Sequence, residues 1–127
     1  MKDVKFYRCS HCGNIVEMVH DVGVTLFCCG EKMQELVPNT SDGAGEKHVP
    51  VVNVEGDHVL VRVGSVDHPM LPEHLIQWIY VQTNLGGMKK ILNPNEGPTA
   101  SFKLAEGENV VAVYEYCNLH GLWKTTL

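Results

Sequence analysis

The stretch Val49-Pro50-Val51-Val52-Asn53-Val54-Glu55-Gly56-Asp57-His58-Val59-Leu60-Val61-Arg62-Val63 decides the fold. Two β-branched runs, Val49 to Val54 and His58 to Val63, flank Glu55-Gly56-Asp57, which is the pattern of a β-hairpin. Successive side chains of a strand point to opposite faces. Val59, Val61 and Val63 therefore share one face, and His58, Leu60 and Arg62 share the other. The first face suits a core and the second suits water.

Downstream, Leu75 to Thr83, Met88 to Leu92, Ala100 to Leu104, Val110 to Tyr116 and Leu122 to Thr126 are further strand candidates. Gly86-Gly87, Asn93-Pro94-Asn95-Glu96-Gly97-Pro98 and Glu106-Gly107-Glu108-Asn109 punctuate them. Short strands at such spacing predict an all-β chain built around a β-sandwich. No segment has helical periodicity, and there is no internal repeat.

Upstream, Pro38-Asn39-Thr40-Ser41-Asp42-Gly43-Ala44-Gly45 is polar and turn-prone and reads as a linker. It sets a small N-terminal domain, 1–37, apart from a second domain, 38–127. The apolar residues of the first domain are few: Ile15, Val16, Met18, Val22, Val24, Leu26 and Phe27. Units below about 40 residues usually need a metal, disulfides or a partner in order to fold.

The 127 residues are 44% apolar and 20% charged, so the chain is neither disordered nor membrane-like. No apolar run approaches the roughly 20 residues of a transmembrane helix. The opening residues, Met1-Lys2-Asp3-Val4-Lys5-Phe6-Tyr7-Arg8-Cys9, lack the apolar centre of a signal peptide, which predicts a cytoplasmic protein. Ten basic residues against fifteen acidic ones leave a net charge of −5, with no block of Lys or Arg to bind nucleic acid. That charge also repels a small anionic substrate, which would need a local positive site.

Five cysteines, an odd number, argue against a disulfide framework and for metal or redox chemistry, and seven histidines point the same way. Cys9-Ser10-His11-Cys12-Gly13 is a C-x2-C-G knuckle, whose spacer lets both sulfurs reach one ion. The second pair, Cys28-Cys29, is adjacent and followed by Gly30, where zinc ribbons repeat a C-x2-C. Binding one ion through neighbouring cysteines should distort the tetrahedron. Four sulfurs accept either zinc or iron, so the spacing leaves the metal open.

The fifth cysteine lies in Tyr116-Cys117-Asn118-Leu119-His120-Gly121 at the end of a predicted strand. Glu46-Lys47-His48-Val49-Pro50 opens the second domain, and His68-Pro69-Met70 and Glu73-His74 flank a loop fixed by Pro69 and Pro72. Taken singly, each histidine reads as a solvated loop residue and Cys117 as a small buried hydrophobe. His11, His20 and His58 keep that plain reading. His48, His68, His74, Cys117 and His120 depart from it as a set, because all lie at strand ends or in loops where side chains can converge.

The set Cys9-x2-Cys12, Cys28-Cys29, Glu46-Lys47-His48-Val49-Pro50, His68-Pro69-Met70, His74 and Cys117-Asn118-x-His120-Gly121 resembles the desulfoferrodoxin family, the two-iron superoxide reductases. The resemblance covers nearly the whole chain and departs at no family ligand position. It implies a desulforedoxin-like iron on Cys9, Cys12, Cys28 and Cys29. It also implies a catalytic iron with His48, His68, His74 and His120 in the equatorial plane and Cys117 as the axial thiolate. An immunoglobulin-like second domain, a homodimer, superoxide as substrate and a rubredoxin-like electron donor follow from the same resemblance.

These ligands suit that chemistry. Reduction of superoxide to hydrogen peroxide takes one electron and two protons. Four neutral imidazoles and one thiolate around ferrous iron leave a net charge of +1 and one open position. The axial thiolate donates electron density, as it does in thiolate-ligated haem. Lys47, beside a ligand, could steer the anion: at about 6 Å and an effective dielectric near 20 the attraction is about 3 kcal/mol, less what solvent and salt remove. Glu46 is the candidate to fill the open position on ferric iron. Two other functions fit parts of the pattern. A pure electron-transfer protein would have no open position, and a zinc-knuckle module on an interaction domain would be colourless.

Overall fold

The computed structural model describes residues 3–41 and 43–127. Met1, Lys2 and linker residue Asp42 lie outside them. The chain divides into two compact units between Val37 and Pro38.

In the first unit β1 (Phe6–Arg8) pairs antiparallel with β2 (Ile15–Glu17) on one side and with β5 (Gln34–Glu35) on the other. A separate ribbon pairs β3 (Phe27–Cys28) with β4 (Glu31–Lys32). Only Phe6, Cys9 and Met33 are buried among the described residues here. Val16, Val22, Val24 and Phe27 are exposed, so the apolar residues counted from the sequence do not make a core.

The second unit is a β-sandwich. One sheet has the order β10 (Thr99–Lys103), β7 (His58–Val63), β6 (Pro50–Glu55). The other has the order β12 (Gly121–Thr126), β11 (Val110–Cys117), β8 (Ile76–Thr83), β9 (Gly86–Ile91). All pairings are antiparallel, and β10 returns to lie beside β7 after two strands of the opposite sheet, a Greek-key path typical of immunoglobulin-like sandwiches. The hairpin of β6 and β7 turns through Gly56-Asp57, with Glu55 opposite His58. The alternation is as expected: Val59, Val61 and Val63 are buried, and His58, Leu60 and Arg62 are exposed. The three valines pack with Phe102, Ile79, Val81 and Val113 between the sheets. Each such side chain, fully buried, contributes about 1.5–3 kcal/mol.

Two expectations need correction. Gly86-Gly87 is not a break between strands: Thr83 pairs with Gly86, so Asn84-Leu85 form the turn and both glycines belong to β9. Residues 45–48, read as non-helical, form one turn of helix, α1 (Gly45–His48), too short to show a helical period. This turn rests on Gly64, where a Cβ would collide with the backbone of Glu46 and Lys47. Val66 N–H and the Ser65 hydroxyl both bond to the Glu46 carbonyl, at 2.9 and 3.2 Å. The Glu46-Lys47-His48 segment is thereby seated at one end of the sandwich.

Candidate metal centres

The cysteines of the first unit converge. In the knuckle, Gly13 has φ +79°, a left-handed conformation that glycine adopts without strain, and its N–H bonds to the Cys9 carbonyl at 3.0 Å. Cys12 N–H points at Cys9 Sγ, 3.5 Å away. Cys12 Sγ lies 3.6 Å from Cys28 Sγ, and Cys28 Sγ lies 3.9 Å from Cys29 Sγ. A tetrahedron of sulfurs about 2.3 Å from an ion has edges of about 3.8 Å, so these separations fit one metal. The distortion expected of adjacent cysteines is taken up by the backbone: Cys29 has φ +54°, which turns both sulfurs to the same side. The Cys12 amide holds the Cys9 thiol down at about 6, while sulfur neighbours, Cys12 first, raise Cys28 and push Cys29 up to about 12. Four thiolates this close repel one another, which keeps some of the sulfurs protonated; a cation among them resolves the conflict.

In the second unit His48 comes from the end of α1, His68 and His74 from the loop after β7, Cys117 from the end of β11 and His120 from the turn joining β11 to β12. Their donor atoms all lie within 4.8 Å of one another. The rings form a closed square, His48–His68–His74–His120, with neighbouring centroids at 4.7, 4.7, 5.2 and 4.8 Å. Cys117 is fully buried, its Sγ 3.4 Å from His68 Nε2 and 3.8 Å from His120 Nδ1. It lies on the inward face of β11 with Val113, and a register shift between Tyr116 and Cys117 sets it opposite Ile76. Burial pushes its thiol pKa up, while the backbone N–H groups of Leu119 and His120 favour the thiolate.

The hydrogen bonds of the rings decide what this cluster can hold. His48 Nδ1 is 2.8 Å from the Ala44 carbonyl, and His68 Nδ1 is 2.7 Å from the Pro69 carbonyl. A carbonyl only accepts, so each Nδ1 carries the proton and each Nε2 a lone pair. Yet the two Nε2 atoms face each other at 3.1 Å, and His120 Nδ1 is also 3.1 Å from His48 Nε2. His74 Nε2 is buried with no hydrogen-bond partner. Convergent lone pairs of this kind repel unless a cation lies among them. The donor set, four nitrogens and one sulfur, fits a transition metal.

Burial lowers the pKa of His48 and His74 and takes His68 down to about 4. These imidazoles are neutral at pH 7 and free to ligate. The unfolded chain would protonate His68 near 6.5, whereas the folded chain resists until about 4. The stability that His68 lends the metal-free second unit should therefore be fully present above pH 6.5 and be lost as pH drops from there to about 4. His68 alone should account for a loss of about 3 kcal/mol. Trp78 and Trp123, the only tryptophans, both lie in this unit, so urea unfolding followed by tryptophan fluorescence measures it. Between pH 7 and 4.5 the midpoint of wild type should lose more, or gain less, than that of His68→Gln; identical pH dependence in the two would contradict the burial argument.

His11, His20 and His58, set aside in the sequence, are exposed; His11 pairs with Glu31 at 2.9 Å and His58 with Asp57 at 3.6 Å. Lys47 and Glu46 are exposed, and the charge of Lys47 opposes protonation of His48 and His74. Three residues near the site were missed. Trp123 stacks on His48 at 5.0 Å and donates from Nε1 to the His120 carbonyl at 3.0 Å. Asn118 bonds to the loop that carries His74. Glu115 is fully buried with both oxygens unpartnered, and burial raises its pKa well above the usual carboxylate range, favouring the neutral acid. Alternation gave a signal for Glu115: it shares the inward face of β11 with Val113 and Cys117.

A square of imidazoles over a buried thiol in an immunoglobulin-like sandwich, preceded by a four-thiol knuckle, defines a non-haem metalloprotein with two centres. Residues 40–126 match the desulfoferrodoxin family, and residues 2–36 match the desulfoferrodoxin N-terminal domain. The chain belongs to the desulfoferrodoxin family. It is 49% identical over 120 residues to the desulfoferrodoxin of Nitratidesulfovibrio vulgaris, a span of 94% of either chain. The crystal structure of the superoxide reductase from Treponema pallidum superposes with a TM-score of 0.83 at 37% identity, covering 98% of this chain and 100% of that one. The one-iron superoxide reductase from Giardia intestinalis gives 0.55 at 33% identity, over 65% of this chain and 97% of that one. The two metal-binding groups fit the two iron sites of desulfoferrodoxin domains.

Proposed function

We infer that this chain is a superoxide reductase, which passes one electron to superoxide and releases hydrogen peroxide. Residues 38–127 hold the catalytic iron on His48, His68, His74, His120 and Cys117. Residues 1–37 hold a second iron on Cys9, Cys12, Cys28 and Cys29. The observation that carries this reading is the closed square of imidazoles with one buried thiol against it. These five side chains would hold a metal through four nitrogens and one sulfur. Ferrous iron in that donor set would supply the electron and an open position for a small anion. A visible spectrum with metal analysis is the first test: two irons and a coloured oxidised form are expected, and a colourless zinc protein would overturn the reading.

The protein's own groups bring the anion in. Net charge −5 repels superoxide at long range, so local positive charge should control encounter. Lys47 precedes a ligand, is exposed, and is felt electrostatically at two of the rings. Lys47→Ala should slow the bimolecular reaction by about tenfold at low salt, the lower end of steering effects. Metal content and spectrum should hardly change, and the defect should shrink as ionic strength rises. Lys47→Arg should recover most of the rate, since the charge is kept. Pulse radiolysis at two salt concentrations measures this; equal rates for Lys47→Ala and wild type at low salt would make Lys47 a bystander. Glu46, on the same exposed turn, is the carboxylate we assign as a further candidate ligand for that metal.

Kinship with the family supports a homodimer and a small rubredoxin-like electron donor. The first unit has apolar surface to spare for a second copy, since Val19 is 93% exposed, Val22 71%, Val24 70% and Phe27 69%. Five unpaired cysteines suit a reducing, cytoplasmic setting. Among the described residues no helix is long and apolar enough to cross a membrane.

A further inference from the structure

We infer that Asn118 is a positioning residue for His74, a corner of the imidazole square that no hydrogen bond of its own ring secures. The inference rests on the metal reading above. His48 and His68 are each fixed through Nδ1 by a backbone carbonyl. His120 is held at its carbonyl by Trp123 Nε1 and by the Ser41 hydroxyl. The His74 ring has no hydrogen bond among the described residues, and its Nε2 faces the site unpartnered.

The turn carrying His74 is also poorly anchored by itself. Leu71 and His74 bond only to each other across it, N–H to carbonyl at 2.9 and 3.1 Å. Among the described residues, every hydrogen bond that leaves residues 71–75 ends on Asn118. Its Oδ1 accepts from the Leu75 N–H at 3.0 Å, its Nδ2 donates to the Glu73 carbonyl at 2.9 Å, and its backbone N–H donates to the Leu75 carbonyl at 3.2 Å. The side chain thus grips the residues immediately before and after His74. Because Asn118 follows Cys117, the same grip ties this imidazole to the segment that carries the sulfur.

The chemistry of the side chain is specific. A short amide offers one acceptor and one donor at this reach; aspartate keeps the acceptor and loses the donor, and leucine loses both. Partners that orient a ligand typically change metal affinity about 10- to 100-fold when removed. The experiment uses the full-length protein, with Asn118→Leu and Asn118→Asp, and follows ferrous iron at the second site against a competing chelator. It also records the electron paramagnetic resonance and absorption spectra of the oxidised site. We expect second-site affinity to fall about 10- to 100-fold in Asn118→Leu and less in Asn118→Asp, with altered spectra in both. The four-cysteine centre should stay unchanged as an internal control. Asn118→Asp nearly preserves shape, so it decides the matter if Asn118→Leu fails to fold. Wild-type affinity and spectra in Asn118→Asp and any folded Asn118→Leu would overturn the inference. So would a lower melting temperature with an unaltered second-site spectrum, which is what a merely structural asparagine gives. A wild-type second site that takes up no metal would overturn the metal reading itself, and the inference with it.

Discussion

Cys117→Ser is expected to abolish superoxide reduction and any thiolate-to-iron charge-transfer band of the oxidised second site. The sulfur is fully buried, lies within 3.8 Å of two ring nitrogens, and has two backbone N–H groups aimed at it. Those groups stabilise a thiolate that burial alone would disfavour. A serine hydroxyl is harder and far less acidic, so it would stay protonated in the same pocket and donate little electron density. Even changes beyond the ligand shell can cost 10- to 100-fold in activity. Loss of the thiolate should therefore cost more than about a hundredfold in rate. The four-imidazole square should survive and keep some metal, because none of the ring contacts to Ala44 or Pro69 involves Cys117. Activity by pulse radiolysis and the visible spectrum together check this. Retained activity with an unchanged spectrum would show that Cys117 does not ligate.

Cys28→Ser should have the second large effect, and it should be confined to the first unit. That unit buries only Phe6, Cys9 and Met33 among its described residues, too little for a core. In metal-dependent knuckles the binding energy, of order 10 kcal/mol, is the folding energy. Cys28 Sγ touches both Cys12 and Cys29 across the knuckle. Its loss should release the metal and leave residues 1–37 open to rapid amide exchange. Iron should fall from two to one per chain, with exchange in the sandwich unaltered. Two irons per chain and a protected first unit in the mutant would exclude the assignment.

Much of this was legible because the relevant signals are local or are carried by rare residue types. Strict alternation in His58 to Val63 announced which face of β7 meets the core. Cysteine and histidine at strand ends announced the two donor sets, since few other reasons place nine such residues in those spacings. The illegible parts have physical reasons. Strands of two or three residues, such as Phe27–Cys28 and Gln34–Glu35, are too short to display a period of two. The single helical turn before His48 is too short to display a period of 3.6. Asn118 gives no signal of its role, because its partners Glu73 and Leu75 lie more than forty residues away and only the fold brings them to it. The Cys29 backbone at φ +54° resolves the adjacent-cysteine problem in a way spacing could not foretell.

The measurement that bears most directly on the central claim is the yield of products from superoxide. Iron-loaded protein is supplied with a steady flux of superoxide and an excess of one-electron donor, and peroxide and dioxygen are both counted. Reduction at the His48, His68, His74, His120 and Cys117 site predicts one hydrogen peroxide per superoxide consumed, one donor electron spent, and no dioxygen released. One peroxide and one dioxygen for every two superoxides, with no donor consumed, would mean dismutation and would contradict the account.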